Sequence, residues 1–275
     1  MLLAAATRRQ RVAALGRSQT AAPRRCLSTV FLGTLYERYA LSQLPCILPG
    51  SLTLQRVGGA GDRGIDLQGW WHLPPTRETG TKPPLRMLVQ CKASASTEKK
   101  LGPVILREIE GVIARQRRRS QDEVDTVARG DETSECPQLL LGSDRQPLVA
   151  IICSSSGFSK QTNVQTLALR AAHVILVHLP LPQDILDQVH LSDEDFNSTL
   201  EATEPDAASR PCEPVSVLLT PQLVSPSGPL GGQLEVRWTR LLTPGKASSA
   251  ATNLENVRPR LIWKERAQPQ QLEAR

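Results

Sequence analysis

Two short segments of this sequence carry side chains that could act together on a phosphate. The turn Gly61–Leu67 carries Asp66, and the apolar run Leu88–Lys92 ends in Gln90-x-Lys92. Because successive side chains of a strand point to opposite faces, Gln90 and Lys92 should point the same way. A carboxylate, an amide and an ammonium on neighbouring strands can hold a divalent metal and stabilise the charge that develops when a phosphodiester is attacked. The pattern therefore indicates a nuclease site.

A helix before these segments could contribute one more carboxylate. Residues 29–44 are apolar nearly all round and are followed by Pro45, which predicts a buried helix that ends at the proline. Glu37 is its only acid. A carboxylate on a buried helix needs a partner, and the candidates are a metal, Lys92 or a backbone donor.

The remaining pattern predicts an α/β fold. Strands are predicted at 51–57, 65–71, 85–91, 148–153 and 173–179, and further helices at about 104–118 and 160–172. This order, αβββαβ and then αβ, predicts a mixed central sheet flanked by helices. The polar and acidic residues 119–146 predict a flexible insertion. In residues 192–275 only 233–242 resembles a strand, so this part is interpreted as a poorly specified C-terminal extension.

Residues 1–27 have the composition of a mitochondrial transit peptide. They contain six arginines and no acid. An Arg-rich, acid-free N-terminus is typical of mitochondrial import and not of a secretory signal. Arg25 lies three positions before Ser28, so cleavage near Ser28 is predicted; a disordered basic tail is the alternative. We therefore expect a location in the mitochondrial matrix.

The distribution of charged residues along the chain indicates what kind of partner it could bind. Six of the 33 basic residues belong to the transit peptide, which leaves 27 basic residues against 27 acidic ones. Residues 28–120 carry 14 basic and 7 acidic groups, whereas residues 121–275 carry 13 and 20. A basic half around the candidate site suits a polyanion such as nucleic acid, and a solvated charged face is the alternative. No run of about 18 apolar residues occurs, so no transmembrane segment is expected.

Two other patterns leave alternatives open. The basic run Arg115–Arg119 is either a patch that faces the substrate or the end of a helix, where the macrodipole favours cations. The six cysteines include no CxxC pair or zinc spacing, and Cys91 and Cys153 lie in apolar runs. We interpret both as small core residues.

Taken together, the residues resemble the restriction-endonuclease-like (PD-(D/E)xK) superfamily, and within it the Mrr-like branch, which often has Gln before x-Lys. The similarity covers about residues 29–191 and rests on Glu37, Gly61–Asp66, Val89–Lys92, Arg107–Gly111 and Ile151–Phe158. It implies a restriction-endonuclease-like domain over 28–191 with an αβββαβ core. With its transit peptide, the chain is also similar to a family of fungal mitochondrial proteins required for respiratory growth.

The superfamily resemblance implies a role for each candidate residue. Asp66 would be a metal ligand, Gln90 would stand at the second ligand position, and Lys92 would position the attacking water and offset negative charge. Glu37 would bind a second metal or orient a metal-bound water, and Asp62 is a weaker candidate. The implied cofactor is Mg²⁺ or Mn²⁺. Because Gln90 is neutral, metal binding should be weaker than in a Glu-x-Lys site.

Each residue also has a structural alternative. Asp66 could cap a turn, Gln90 could satisfy backbone groups, and Lys92 could form an ion pair with Glu37. Two functions follow: a Mg²⁺-dependent endonuclease acting on mitochondrial DNA, or a non-catalytic protein of the same fold in nucleic-acid binding or assembly of the respiratory system. The sequence does not fix the oligomeric state, and a homodimer is one of the states considered.

Overall fold

The computed structural model describes residues 29–57, 64–75, 82–94, 96, 98–128, 147–183, 185, 214–240 and 257–264, with the side chains of the second helix described up to 119. Its elements are α1 (Thr29–Ile47), β1 (Ser51–Arg56), β2 (Leu67–His72), β3 (Leu85–Lys92), α2 (Val104–Ala128), β4 (Leu148–Ser154), α3 (Lys160–Ala168), β5 (His173–His178), β6 (Ser216–Leu219), α4 (Pro221–Val224), β7 (Leu234–Arg240) and β8 (Val257–Trp263). The predicted transit peptide, Asp62 and residues 129–146 of the predicted insertion lie outside the described residues.

Six strands form one mixed sheet in the order β1-β2-β3-β4-β5-β6. The first three strands pair antiparallel, β3, β4 and β5 run parallel, and β6 pairs antiparallel with β5. Parallel neighbours require crossover connections, which α2 and α3 provide. The predicted mixed sheet with flanking helices is therefore confirmed.

The sheet separates two hydrophobic clusters, and β3 contributes to both. Met87 and Val89 belong to the cluster that includes Tyr36 and Leu44 of α1. Leu88 belongs to the cluster on the other side, which includes Ile109 of α2. Odd-numbered residues of β3 thus face α1 and even-numbered residues face α2, as expected from the alternation of a strand.

Two helices continue past their predicted ends. α1 includes Pro45 and ends at Ile47. A proline this near the end of a helix removes only one backbone hydrogen bond, and the bond from Leu48 N to Leu44 O (3.0 Å) closes the last turn. The helix α2 reaches Ala128. Residues 119–128, which the sequence placed at the start of the predicted insertion, continue this helix, and they contain no Gly or Pro to end it.

The C-terminal region contributes more structure than its composition predicts. The four-residue strand β6 extends the central sheet, so a domain boundary at 191 would divide that sheet. β7 and β8 pair antiparallel as a separate two-stranded ribbon. Leu234 is buried in the α1-side cluster, and Leu261 and Trp263 pack against it. Of the three strands in this region, only β7 coincides with a predicted strand. β6 is too short to carry a clear alternating pattern.

None of the described helices combines the length and the apolar character that a membrane crossing requires.

Candidate functional site

Gln90 and Lys92 lie on the α2 side of β3, at the C-terminal end of the strand. Leu88, two residues before Gln90, packs in the cluster that includes Ile109. Lys92 Nζ lies 3.7 Å from Oε2 of Glu108 on α2. The predicted common orientation of Gln90 and Lys92 is therefore confirmed.

Asp66 stands just before β2 and reaches the end of β3. Gly64 turns the chain with a φ of 81°, a conformation that glycine adopts without strain. The N–H of Asp66 donates to Val89 O at 2.9 Å, and Asp66 Oδ2 accepts a hydrogen bond from Cys91 N at 2.6 Å. Val89 and Cys91 flank Gln90 on β3. These two bonds therefore hold the Asp66 carboxylate beside Gln90, as the sequence pattern predicted. The short bond to Cys91 is charge-assisted, which favours a single carboxylate orientation.

The amide of Gln90 is the least satisfied polar group of the site. Its residue is only 4% exposed, and its Oε1 has no hydrogen-bond partner among the described residues. A Cβ at Gly64 would lie 3.3 Å from Gln90 Nε2, so glycine leaves the amide its space. A buried acceptor without a partner costs free energy. Amide and carboxylate oxygens are the ligand types that Mg²⁺ accepts, so Gln90 and Asp66 fit a divalent cation.

Glu37 is held by a different partner from the one expected. Its Oε2 accepts a hydrogen bond from Arg56 Nε at 2.6 Å. Arg56 pairs in register with Leu67, which belongs to the cluster on the α1 side of the sheet. The structure therefore keeps Glu37 on the face opposite Lys92, and the alternative of a Glu37–Lys92 ion pair is wrong. In the part of the chain that the structure describes, no three His, Cys, Asp or Glu side chains form a metal cluster.

Glu108 is the neighbour of the site that sequence reasoning missed. Lys92 is 39% exposed and Glu108 49% exposed, and an ion pair this exposed contributes at most about 1 kcal/mol. It therefore positions Lys92 over α2 without committing the ammonium to Glu108. One sequence signal could have identified Glu108. It directly precedes Ile109, which lies on the apolar stripe of the helix that follows the Gln-x-Lys strand, so it lies close to the face that packs on this strand.

The turn after β4 completes this edge of the sheet. Ser154 is the register partner of Lys92, and Ser155 N donates to Lys92 O at 3.2 Å. Ser155 Oγ accepts from Ser94 N at 2.8 Å, and Ser154 Oγ accepts from Gly157 N at 2.9 Å. The Ser155 hydroxyl ties the loop after β3 to the turn after β4, and the Ser154 hydroxyl stabilises that turn. We infer that they support the edge and do not serve as nucleophiles.

Two half-buried histidines lie at the ends of β5. Burial lowers the pKa of His178, the cations Lys100 and Arg258 lower it further, and a hydrogen bond to the Ser155 backbone opposes them. Burial, and then the charge of Arg117, lower the pKa of His173. Both imidazoles are therefore neutral at neutral pH.

The Cys91 thiol stays protonated on the α1 side of β3. Its hydrogen bond to Cys153 raises its pKa most, followed by burial, and the negative charges of Asp66 and Glu37 add to the effect. Nucleophilic and metal-binding cysteines act as thiolates. Cys91 is thus a core residue, as the sequence indicated.

The arginine run lies in the middle of α2, nine residues before its end at Ala128. Because the macrodipole acts within the last turn, it does not account for Arg115–Arg119 at this position. At about 100° per residue, Glu108, Arg115 and Arg119 share one stripe of the helix. Arg115 lies about 10 Å and Arg119 about 16 Å along α2 from Glu108, the neighbour of Lys92. The alternative that the helix macrodipole favours these arginines at the end of α2 is therefore wrong.

Comparison with known proteins gives a partial match. A family model described as "Required for respiratory growth protein 7" matches residues 28–83. The chain is 34% identical over 122 residues to the mitochondrial "Required for respiratory growth protein 7" of Zygosaccharomyces rouxii, covering 32% of this chain and 48% of the relative. It is 31% identical over 134 residues to the protein of the same name from Vanderwaltozyma polyspora, covering 36% and 52%. An uncharacterized mitochondrial protein of Schizosaccharomyces pombe is 34% identical over 90 residues, covering 32% of this chain and 31% of the relative.

The matches support the predicted similarity to fungal respiratory growth proteins. The chain spans about half the length of the first two relatives. All three relatives are named mitochondrial, which confirms the predicted mitochondrial location. No solved structure matches the chain, and the restriction-endonuclease-like assignment remains a prediction.

Proposed function

We propose that this chain is a mitochondrial protein with a restriction-endonuclease-like core that hydrolyses phosphodiester bonds of mitochondrial DNA with Mg²⁺, and that it acts in the matrix to maintain respiratory competence. The observation that carries the proposal is the unpartnered, buried Oε1 of Gln90 beside the fixed carboxylate of Asp66. The αβββαβ order of the first elements is the order that the superfamily resemblance implies. The names of the relatives support the respiratory role.

Asp66 and Gln90 would hold the cation through a carboxylate oxygen and the amide oxygen. When bound, Mg²⁺ supplies Lewis-acid stabilisation of negative charge at the phosphate. Cys91 N–H keeps the Asp66 carboxylate in one orientation, so little reorganisation is needed. The neutrality of Gln90 implies modest metal affinity.

Lys92 supplies the positive charge that phosphodiester hydrolysis requires. Its ammonium can orient a water at the phosphate and offset the charge of the pentavalent phosphorane. The exposed pair with Glu108 is weak enough to open when a phosphate approaches. Arg115 and Arg119 on the same stripe of α2 would contact phosphates farther along the substrate.

A second function is favoured by the composition of the site itself. Asp66 is the one carboxylate fixed next to Gln90 in the described residues, and Lys92 has an acidic partner. A protein of this fold with too little negative charge to retain Mg²⁺ would bind nucleic acid without cutting it, or act in assembly of the respiratory system.

A nicking assay separates the two functions. Purified protein should convert supercoiled DNA to nicked forms with Mg²⁺ or Mn²⁺, and Asp66→Asn or Lys92→Ala should lower the rate by about 100-fold or more. Asp66→Asn retains an acceptor for Cys91 N–H, so it tests the charge and not the fold. Lys99→Ala removes an equal charge from the exposed loop after β3 and should retain the rate.

The outcomes are distinct. Protein that binds DNA or RNA but cleaves neither, with either metal, supports the non-catalytic function. Equal rates for wild type and Lys92→Ala identify a contaminating nuclease and leave no support for the site.

A further inference from the structure

The two faces of the β7–β8 ribbon have different surroundings. Leu234 is buried in the α1-side cluster, and Leu261 and Trp263 pack against it, so one face is directed towards the core. Side chains alternate along each strand, which directs the intervening residues outwards. This outer face carries Glu235, Arg237 and Thr239 on β7, and Arg258, Arg260 and Ile262 on β8, with Lys264 directly after β8.

Basic residues outnumber acidic residues on the outer face, within the part of the chain that the structure describes. Arg237 and Arg260 are direct register partners, and like charges at such positions destabilise a ribbon. Glu235 is the carboxylate of this face, and its Oε2 lies 2.7 Å from Lys264 Nζ and 3.5 Å from Arg237 Nε. Arg260 is exposed and forms no ion pair within the described residues. An external anion would relieve this repulsion.

The ribbon starts near the N-terminal end of β3. Gln233 Oε1, directly before β7, accepts a hydrogen bond from Lys82 Nζ at 3.1 Å, and Lys82 lies just before β3. The inner face of the ribbon packs on the α1 side of the sheet, whereas Lys92 lies on the α2 side. The outer face is therefore a surface separate from the edge that carries Lys92.

We propose that the outer face of the β7–β8 ribbon binds the phosphate backbone of nucleic acid, as a surface separate from the Asp66–Gln90–Lys92 site. Alternate residues on one strand face are about 7 Å apart, so Arg258 and Arg260 form a short row of cations. Such a row suits a row of phosphates and reads no base sequence.

The distribution of apolar residues favours nucleic acid over a membrane surface. Peripheral membrane binding combines cations with apolar side chains on the face that enters the lipid. The exposed Trp238 (58%) belongs to the alternating set of the inner face. The outer face offers Ile262 alone as a large apolar residue, and that residue is partly buried.

Salt-dependent binding tests this surface without requiring cleavage. Binding of a fluorescein-labelled single-stranded oligonucleotide to the full chain is measured by anisotropy in EDTA over a range of salt concentrations. Arg260→Gln should weaken binding several-fold and reduce the slope of log Kd against log salt by about 1. Arg170→Gln is the matched control, because Arg170 is exposed beside Leu169, which packs on the α2 side of the sheet.

Each outcome decides for or against the proposal. A change in Arg260→Gln that Arg170→Gln does not share supports it. No change, or an equal change in both variants, overturns it. Loss of binding to vesicles of anionic phospholipid in Arg260→Gln, with oligonucleotide binding intact, overturns it in favour of a membrane. A protein that cleaves no nucleic acid would refute the nuclease function and leave this binding result unaffected.

Discussion

At the scale of single residues, Gln90 is the position where stability and function conflict. Its amide oxygen is buried without a partner in the described residues, which costs free energy that folding does not recover. Asp66, beside it, has its carboxylate fixed by Cys91 N–H. Residues that violate a packing rule tend to be functional, so Gln90 is the strongest single indication of a ligand in this protein.

Replacing Gln90 should separate these two effects. Gln90→Leu should stabilise the metal-free protein by about 1 kcal/mol, because it removes an unsatisfied acceptor. The same change should abolish the increase in melting temperature that Mg²⁺ gives the wild type. Thermal unfolding in EDTA and in Mg²⁺ measures both.

A satisfied glutamine provides the control. Gln116 Oε1 accepts a hydrogen bond from Arg86 Nη2 at 3.2 Å, so Gln116→Leu should destabilise the protein and retain the Mg²⁺ response. If Gln90→Leu destabilises the metal-free protein and keeps that response, Gln90 has a structural role. Gln90→Glu should have the opposite effects. It should lower the stability of the protein in EDTA and increase the rise in melting temperature that Mg²⁺ gives.

The two histidines of β5 should make stability depend on pH. The pKa of His173 and that of His178 lie below the ordinary value in the folded protein. Below about pH 6.5 the unfolded chain therefore binds protons that the folded chain excludes. Stability should be complete above that pH and should fall as the pH decreases towards the folded-state pKa values.

Urea unfolding at a series of pH values measures this effect. His173→Gln combined with His178→Gln should flatten the dependence between neutral pH and the range in which carboxylates titrate. His72→Gln, at an exposed position, serves as the control. A double variant with the same pH dependence as the wild type would assign the loss of stability to other groups.

At the scale of elements, the position of the site depends on how closely β1, β2 and β3 approach one another. Gly69 of β2 stands where a Cβ would lie 1.8 Å from Thr53 O of β1. The absence of a side chain lets the two strands pair in full register. Directly before β2, the backbone of Asp66 continues this pairing to both neighbours, since Asp66 O accepts from Val57 N at 2.8 Å and Asp66 N donates to Val89 O at 2.9 Å.

A pair of glycine substitutions tests this packing. Gly69→Ala should destabilise the protein by about 3 kcal/mol or more, because backbone and not a flexible side chain blocks the added methyl group. Gly33→Ala in α1 has no atom within 4 Å of the new Cβ and should stabilise by about 0.5–1 kcal/mol. Chemical denaturation measures the stability of both variants. Similar unfolding midpoints for Gly69→Ala and Gly33→Ala would contradict the prediction, because β1 would then shift to make room for the added methyl group.

At the scale of the whole molecule, the net charge of the chain comes from its first 27 residues. Once the six arginines of residues 1–27 are set aside, basic and acidic residues are equal in number. Among the described residues, basic side chains occur on the stripe of α2 that carries Arg115 and Arg119 and on the outer face of β7–β8. The proposed binding of a polyanion would therefore depend on the arrangement of charges and not on net charge.

Import should remove the basic N-terminus. We expect the mature protein to begin near Ser28, because Arg25 stands three positions before it and no acid precedes Glu37. N-terminal sequencing of protein isolated from mitochondria measures this directly. Retention of Met1 in the mitochondrial pool would contradict the prediction, and Arg25→Ala should shift or slow the cleavage.

The sequence by itself determined those features that depend on local periodicity. The alternation of a strand is enough to put Gln90 and Lys92 on one face, and the apolar runs are enough to locate β3, β4 and β5. The order of the elements from α1 to β5 followed from the same patterns. Composition alone predicted the mitochondrial location.

Only the tertiary structure decided which groups meet. Glu37 could have faced Lys92 from the sequence, but packing of α1 on the opposite side of the sheet pairs it with Arg56 and leaves Glu108 to Lys92. The short strand β6 has too few residues for a local signal and gains its stability from pairing with β5. The unpartnered oxygen of Gln90 likewise results from burial by distant segments. Such contacts join residues far apart in the chain, so no local pattern encodes them.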